Sequence, residues 1–284
     1  MNDLVIDSHQ HFWDLRRLQY YWMTPQVNAL RRDFLPADLR PLLGREGVHQ
    51  TVVVQAHRSL DEARWLLQLA EAHDFIGCVV TWADLTSPRL AKDLDELQLH
   101  PKFRGIRHPI EDEPDDAWMV RPEVVRGFAE LERRGIPYDL VVWPRHLKHI
   151  LMLRERCPGL KLVVDHMANP PIAQGILEGW SRELENVARL PDIFCKLSGM
   201  VTQADTQRWK PENLKPYVAH AVQVFGYDRL MFGSDWPVCT LAGSYHQVVG
   251  ALREVLHGVT EKDASRVWGG TAAEFYRLSL ASKT

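Results

Sequence analysis

The 284-residue sequence has little cysteine, little net charge and no long apolar run, and each shortage narrows what the protein can be. Its four cysteines, Cys78, Cys157, Cys195 and Cys239, lie far apart with no C-x-x-C pair. That spacing argues for buried thiols in a reducing cytosol and against a disulfide framework. Lys and Arg number 34 against 37 Asp and Glu, a formal net charge of -3, so the basic excess that draws nucleic acid or anionic lipid is missing. No stretch approaches the ~18 consecutive apolar residues of a membrane helix, and the N-terminus shows no cationic segment ahead of an apolar run. A cytoplasmic protein with neither a nucleic-acid nor a membrane partner is expected. No repeat, low-complexity tract or Pro/Ser-rich linker divides the chain, which reads as one domain over 1–284. Nothing in the sequence fixes an oligomeric state. What is present, 45% hydrophobic and 25% charged residues, is the balance of a soluble globular protein with a sizeable core.

Apolar, β-branched runs recur along the chain, at "LVID" from Leu4, "TVVVQA" from Thr51, "IGCVVTW" from Ile76 and "FRGIRH" from Phe103. Four more follow, at "YDLVVW" from Tyr138, "LKLVVDH" from Leu160, "IFCKLSG" from Ile193 and "RLMFGSDWP" from Arg229. Continuous apolar runs mark strands buried on both faces, as in a parallel sheet covered by helices. Helical patterns fill the intervals. Ser59 and Glu62 make an S-x-x-E capping box ahead of "ARWLLQLAEAH", and further helices are expected at "EVVRGFAELERRG", "HLKHILMLRERCPG", "ILEGWSRELENVARL", "YVAHAVQVFG" and from Thr271. Eight β-then-α units predict a (β/α)8 TIM barrel, with an open doubly wound sheet as the alternative. The least regular segments, Asp14 to Pro41 and Ile110 to Pro122, follow strands one and four, on the side where barrel enzymes build their sites.

In "DSHQH" the side chains of His9 and His11, two apart at a strand end, point to one face. Two converging imidazoles suit a divalent metal such as zinc, which takes nitrogen ligands at ~2.0–2.1 Å. The alternative is a pair of loop histidines bonded to backbone. "LVVDHM" puts Asp165 and His166 beyond strand six, and "LMFGSDWP" puts Asp235 beyond strand eight. Such groups after buried strands are costly unless paired, ligated or opened to a cavity, so several together indicate a site. The plainer readings are a helix-capping carboxylate for Asp235 and a satisfied core imidazole for His166. Strand four adds Arg107, a ready electrophile or carboxylate clamp, and His108; strand seven adds Lys196. His57 is a lesser candidate. Trp13, Trp82, Trp143 and Trp236 follow four different strands and could ring a mouth that binds a sugar-like ligand, at least two of them serving only to cap the core. The substrate-binding set is therefore Trp13, Trp82, Trp143, His108 and Lys196. Trp22 and the other tryptophans are assigned to packing or loops, and His49, His73, His100, His146, His149, His220, His246 and His257 to solvated surface.

The segments "DSHQHFW", "VQA", "RGIRH", "VVDHMANP", "CKLSGMVTQAD", "FGSDWPV" and "WGGTAAEFY" together resemble the amidohydrolase superfamily. Within it they resemble the amidohydrolase-2 sugar lactonases typified by L-fuconolactonases, from near Asp7 to about Tyr276. The resemblance implies a barrel that hydrolyses a sugar lactone to its aldonic acid in carbohydrate degradation, with His9, His11, His166 and Asp235 central. Many members of the superfamily hold two metals bridged by a modified lysine, but strand five here, "YDLVVW", offers neither lysine nor histidine. Two options are left: one divalent ion such as zinc on His9, His11 and His166 with Asp235 nearby, or a metal-free site as in related pyrone-dicarboxylate lactonases. In either, Asp235 would serve as general base and then acid, with the carbonyl polarised by His166, Arg107 or the metal. One arginine and several indoles suit a neutral polyol lactone, an L-fucono-lactone or related aldonolactone, better than a dicarboxylate. A metal-dependent decarboxylase on the same barrel, a lactonase acting on a non-sugar lactone, and a non-catalytic sugar-binding protein are the competing readings. The last has no need of a convergent His/Asp set.

Overall fold

In the computed structural model, which describes residues 4–278, the continuous apolar runs become eight strands. These are β1 (Ile6–Gln10), β2 (Gln50–Val54), β3 (Ile76–Thr81), β4 (Phe103–Pro109), β5 (Tyr138–Val141), β6 (Leu162–Val164), β7 (Ile193–Leu197) and β8 (Leu230–Phe232). Each pairs in parallel with the next, in the order of the sequence. Beyond β8 the chain turns back onto β1: Asp235 N donates to His9 O at 2.8 Å and His11 N to Trp236 O at 2.7 Å. The sheet is thus nearly closed, a (β/α)8 barrel and not the open alternative. Residues 1–3 and 279–284 of the expected single domain lie outside the described residues.

The helices are α1 (Pro36–Glu46), α2 (Leu60–Ala72), α3 (Leu90–Gln98), α4 (Pro122–Arg134), α5 (Leu147–Arg156), α6 (Trp180–Ala188), α7 (Met200–Gln203), α8 (Pro211–Phe225), α9 (Tyr245–Val255), α10 (Glu261–Ser265) and α11 (Thr271–Phe275). The pattern "ILEGWSRELENVARL" starts helical later than its composition suggests, because Gly179 sits at φ 83° and α6 opens only at Trp180. The capping box at α2 is half made. Ser59 Oγ accepts from Glu62 N at 3.2 Å, but the Glu62 carboxylate turns into the β2–α2 loop and accepts from Ala56 N at 2.9 Å and His57 N at 2.8 Å.

Apolar side chains form two layers. Leu66, Phe128, Leu131 and Leu153 pack helices against the outside of the sheet. Inside, Ile6, Val52, Val54, Cys78, Val80, Val163 and Met231 fill the barrel, closed by Ala272 and Phe275 from the last helix and by Tyr276 just after it. A side chain as fully buried as Phe275 contributes on the order of 1.5–3 kcal/mol. All four cysteines are buried and free.

One irregularity decides where the site lies. Ile6 belongs to the barrel interior, whereas Asp7 accepts from Tyr245 Oη of α9 at 3.1 Å, on the helix side. Strict alternation would then send His9 outward with Asp7. The β1–β2 register shifts between Asp7 and Gln10, and this bulge re-aims His9 into the barrel.

Candidate active site

At the C-terminal end of the barrel four donor atoms converge. His9 Nε2 and His11 Nε2 are 3.2 Å apart, and Asp235 Oδ1 lies 3.4 Å from His11 Nε2, 3.8 Å from His9 Nε2 and 3.9 Å from His166 Nε2. Ligands of a tetrahedral zinc with bonds of ~2.0–2.1 Å stand about 3.4 Å apart, so the mutual spacing of His9, His11 and Asp235 fits one such ion, with His166 beside Asp235. The donor chemistry fits too. His11 Nδ1 is 2.7 Å from Val54 O and must carry its proton there, which leaves Nε2 a free lone pair. Burial holds the His9 imidazole well below its ordinary range and lowers His166, so both are neutral, as ligation requires.

Local backbone aims these groups. His166, Met167, Ala168 and Asn169 run through the left-handed region at φ 54°, 52°, 60° and 51°, a conformation costing roughly 1–2 kcal/mol per residue. The turn is held by Asn169 N donating to His166 O at 2.9 Å and Trp180 Nε1 donating to Met167 O at 2.7 Å. His166 Nδ1 meets Ser198 Oγ at 2.8 Å. Two glycines make room: a Cβ on Gly199 would stand 2.6 Å from His166 Nδ1, and one on Gly233 2.7 Å from His9 Cβ.

Beneath the imidazoles lies a charged cluster shut off from solvent. Lys196 Nζ sits 2.6 Å from Asp139 Oδ2, 3.0 Å from Asp165 Oδ1 and 3.2 Å from His9 Nδ1, and Tyr276 Oη donates to Asp139 Oδ2 at 2.7 Å. Burial alone would strip Lys196 of its proton, but the two carboxylates outweigh it and raise its pKa. Burial likewise pushes Asp165 up, and Lys196, His9 and Arg107 overcome that and hold it well below the usual carboxylate range. Arg107 donates from one terminal nitrogen to Gln55 O and faces Asp165 Oδ2 at 3.5 Å with the other.

Above the donor atoms opens a cavity of about 250 Å³. Of the expected residues, His11, Arg107, Trp143, His166 and Asp235 line it. Lys196 does not: fully buried under His9, it cannot reach a substrate. Trp13 is also fully buried, its indole N–H donating to Leu30 O and Arg32 O. Trp236 packs against Phe12 and Phe34 in the core. Trp82 and His108 bind each other instead of facing the cavity. Trp82 Nε1 donates to His108 Nδ1 at 3.0 Å, His108 Nε2 donates to Glu113 Oε1 at 2.7 Å, and the ring stacks on Trp118. Burial brings His108 down to about 4, so the imidazole is neutral. His57 bonds Ser59 Oγ, away from the cavity, and His146 is buried against Asp116, contrary to its expected surface position.

Sequence reasoning missed Trp22, Gln55, Glu111, Asn169 and Gln203 on the cavity wall, and Asp139 and Tyr276 below it. A signal existed for Asp139, an acid inside the apolar run "YDLVVW" that only a buried cation such as Lys196 could balance.

Known proteins share this arrangement at several levels. The chain is 40% identical over 283 residues to an L-fucono-1,5-lactonase of Burkholderia ambifaria, covering 98% of this chain and 97% of the relative. It is 38% identical over 289 residues to an L-fucono-1,5-lactonase of Burkholderia multivorans, with coverage of 98% and 97%. A crystal structure of an amidohydrolase from Burkholderia multivorans with bound zinc superposes with a TM-score of 0.93 at 38% identity, covering 97% of this chain and 100% of that one. The Amidohydrolase family pattern matches residues 6–278. A match that runs from the first strand to beyond the last helix takes in the whole barrel, and the chain belongs to the amidohydrolase family.

Proposed function

We propose that the protein is a lactonase that opens a sugar lactone, an L-fucono-1,5-lactone or a close aldonolactone, to its aldonic acid. The observation that carries this reading is Asp235, a carboxylate facing three imidazoles, those of His9, His11 and His166, at the floor of a small cavity. The L-fucono-1,5-lactonases to which the chain is about 40% identical over nearly full length support the substrate class.

Asp235 takes a proton from water as the water oxygen attacks the lactone carbonyl. The acyl bond to the ring oxygen then breaks, and Asp235 returns the proton to that oxygen as it leaves. Arg107, tethered by Gln55 O, presents a fixed cation to the oxyanion, and His166 offers its ring edge from just beyond β6, at the same end of the barrel. Trp22 and Trp143 supply apolar walls for the sugar ring. His9, His11 and His166, with Asp235, would hold a single zinc ion, which when bound supplies Lewis acidity to the carbonyl and lowers the pKa of water.

The test is acid release, followed with a pH indicator, from L-fucono-, L-rhamnono- and D-arabinono-lactones. Turnover of one stereochemical series is expected, and Asp235→Asn should lose about 10²–10⁴-fold or more in kcat with an unchanged melting temperature. An active asparagine variant removes the assignment of Asp235. Silence across the panel, with carbon dioxide released from aromatic acids, would point to a decarboxylase instead.

A further inference from the structure

Glu111 occupies the cavity wall with half of its carboxylate unused. It lies in the one-turn segment Ile110–Asp112 after β4, two loops away from the imidazoles in sequence but on the same cavity. Its Oε2 accepts from Asn169 Nδ2 at 3.1 Å. Asn169 is itself fixed, donating also to Val142 O at 3.1 Å and accepting from Gln203 Nε2 at 3.2 Å. Three cavity residues, from the segments that follow β4, β6 and β7, are thereby locked into one hydrogen-bonded row. Among the described residues Glu111 forms no ion pair, and nothing donates to its Oε1. The cation that shares the cavity, Arg107, is committed to Gln55 O and Asp165. Burial, with the neighbouring charge of Asp112, pushes the Glu111 carboxyl up to about 7 against the pull of Arg107, the behaviour of a carboxylate short of donors.

We propose that Glu111 selects the substrate, its free oxygen accepting a hydrogen bond from a ring hydroxyl of a neutral polyol lactone while its charge repels lactones that carry a carboxylate. The proposal rests on the lactonase reading. A hydroxyl is a ligand group that can donate to a fixed acceptor without bringing a counter-charge, and the hydrogen bond from Asn169, itself held by Gln203, fixes the Glu111 carboxylate on the cavity wall. Once Glu111 is ionised, above about pH 7, a carboxylate-bearing lactone would place like charges together in a confined cavity.

The experiment compares wild type with Glu111→Gln and Glu111→Ala on three kinds of lactone. These are the best aldonolactone of the panel, its deoxy analogues lacking one ring hydroxyl each, and an aldarolactone with a free carboxylate. Glu111→Gln keeps the size of the side chain and an oxygen for Asn169. It should lose about 10–100-fold in kcat/KM on the aldonolactone, mostly through KM. The loss should vanish for the one deoxy analogue that lacks the contacted hydroxyl, and activity on the aldarolactone should rise about tenfold or more. Glu111→Ala should show the same selectivity pattern. An equal loss on every analogue, or a loss in kcat at constant KM, overturns the proposal. Wild-type activity with unaltered selectivity in both variants also overturns it while sparing the lactonase reading, whereas a wild type inert on every lactone brings down that reading and the proposal with it.

Discussion

Replacing Lys196 by methionine removes the ammonium that pairs with two carboxylates inside the barrel and leaves Asp139 without a cation and Asp165 with Arg107 alone. The ammonium stands 2.6 Å from Asp139 and 3.0 Å from Asp165, with all three side chains at 0% exposure. Breaking a buried ion pair by deleting one partner typically costs about 3–5 kcal/mol, a large part of the roughly 5–15 kcal/mol that holds a domain folded. At about 2–4 °C per kcal/mol for a chain of this size, the melting temperature should fall by roughly 6–20 °C. Two further readings separate charge from packing. In the Lys196→Met, Asp139→Asn double variant one unpaired charge is gone and Tyr276 Oη can still donate to the amide oxygen, so more than half of the lost stability should return. Burial already raises the Asp139 carboxyl against the pull of Lys196, and with the ammonium absent it rises further above its unfolded value, so the folded variant binds more protons than its unfolded chain and gains more than wild type does as pH falls. The stability deficit of the single variant must then shrink as pH falls from about 8 to about 5. Far-UV circular dichroism melts at several pH values measure all of this. A deficit independent of pH, with no recovery in the double variant, would mean that methionine merely packs badly and that the charge argument is wrong.

Two other outcomes are expected. Gly199→Ala combines a left-handed backbone at φ +64° with a methyl 2.6 Å from His166 Nδ1, so it should cost roughly 1–2 kcal/mol of stability but about 100-fold in turnover through the displaced imidazole. Wild-type turnover in that variant would show that the position of His166 is immaterial. Chelator-stripped protein titrated with zinc in a calorimeter should bind one ion per chain and gain about 2.7 kcal/mol of stability at a free zinc concentration near 100 times Kd. His11→Ala should abolish both effects; zinc binding at full strength in that variant would exclude His11 as a ligand.

The barrel was legible because its strands are largely buried on both faces and so stand out as short, mostly apolar, β-branched runs, with a helix pattern before the next. The central polar groups were legible for a related reason: His9, His11, His166 and Asp235 interrupt or end those runs, where burial without a partner is costly. What the linear pattern could not carry was direction. Lys196 and Asp235 look alike as charges at strand ends, yet one points down into the sealed interior and the other up to the cavity. Trp13 and Trp22 reverse their expected places because the loop after β1 folds back, pairing Trp13 with Phe34 and leaving Trp22 hydrogen-bonded to Ala56 O over the cavity. Glu111 and Asn169 acquire meaning only as a pair, from positions 58 residues apart.

The seam between β1 and β8 sets a timetable for synthesis. Ser8 Oγ donates to Phe232 O across 224 residues of chain, and the same seam brings His9 and His11 to Asp235. At about 5–20 residues per second a ribosome needs roughly 10–45 s between releasing the two sides of that seam. Throughout this interval the early histidines lack Asp235, and the edge of the unfinished sheet is uncovered. Activity therefore arrives all at once, with the last strand, and a chain cut short before it is an aggregation hazard instead of a weak enzyme.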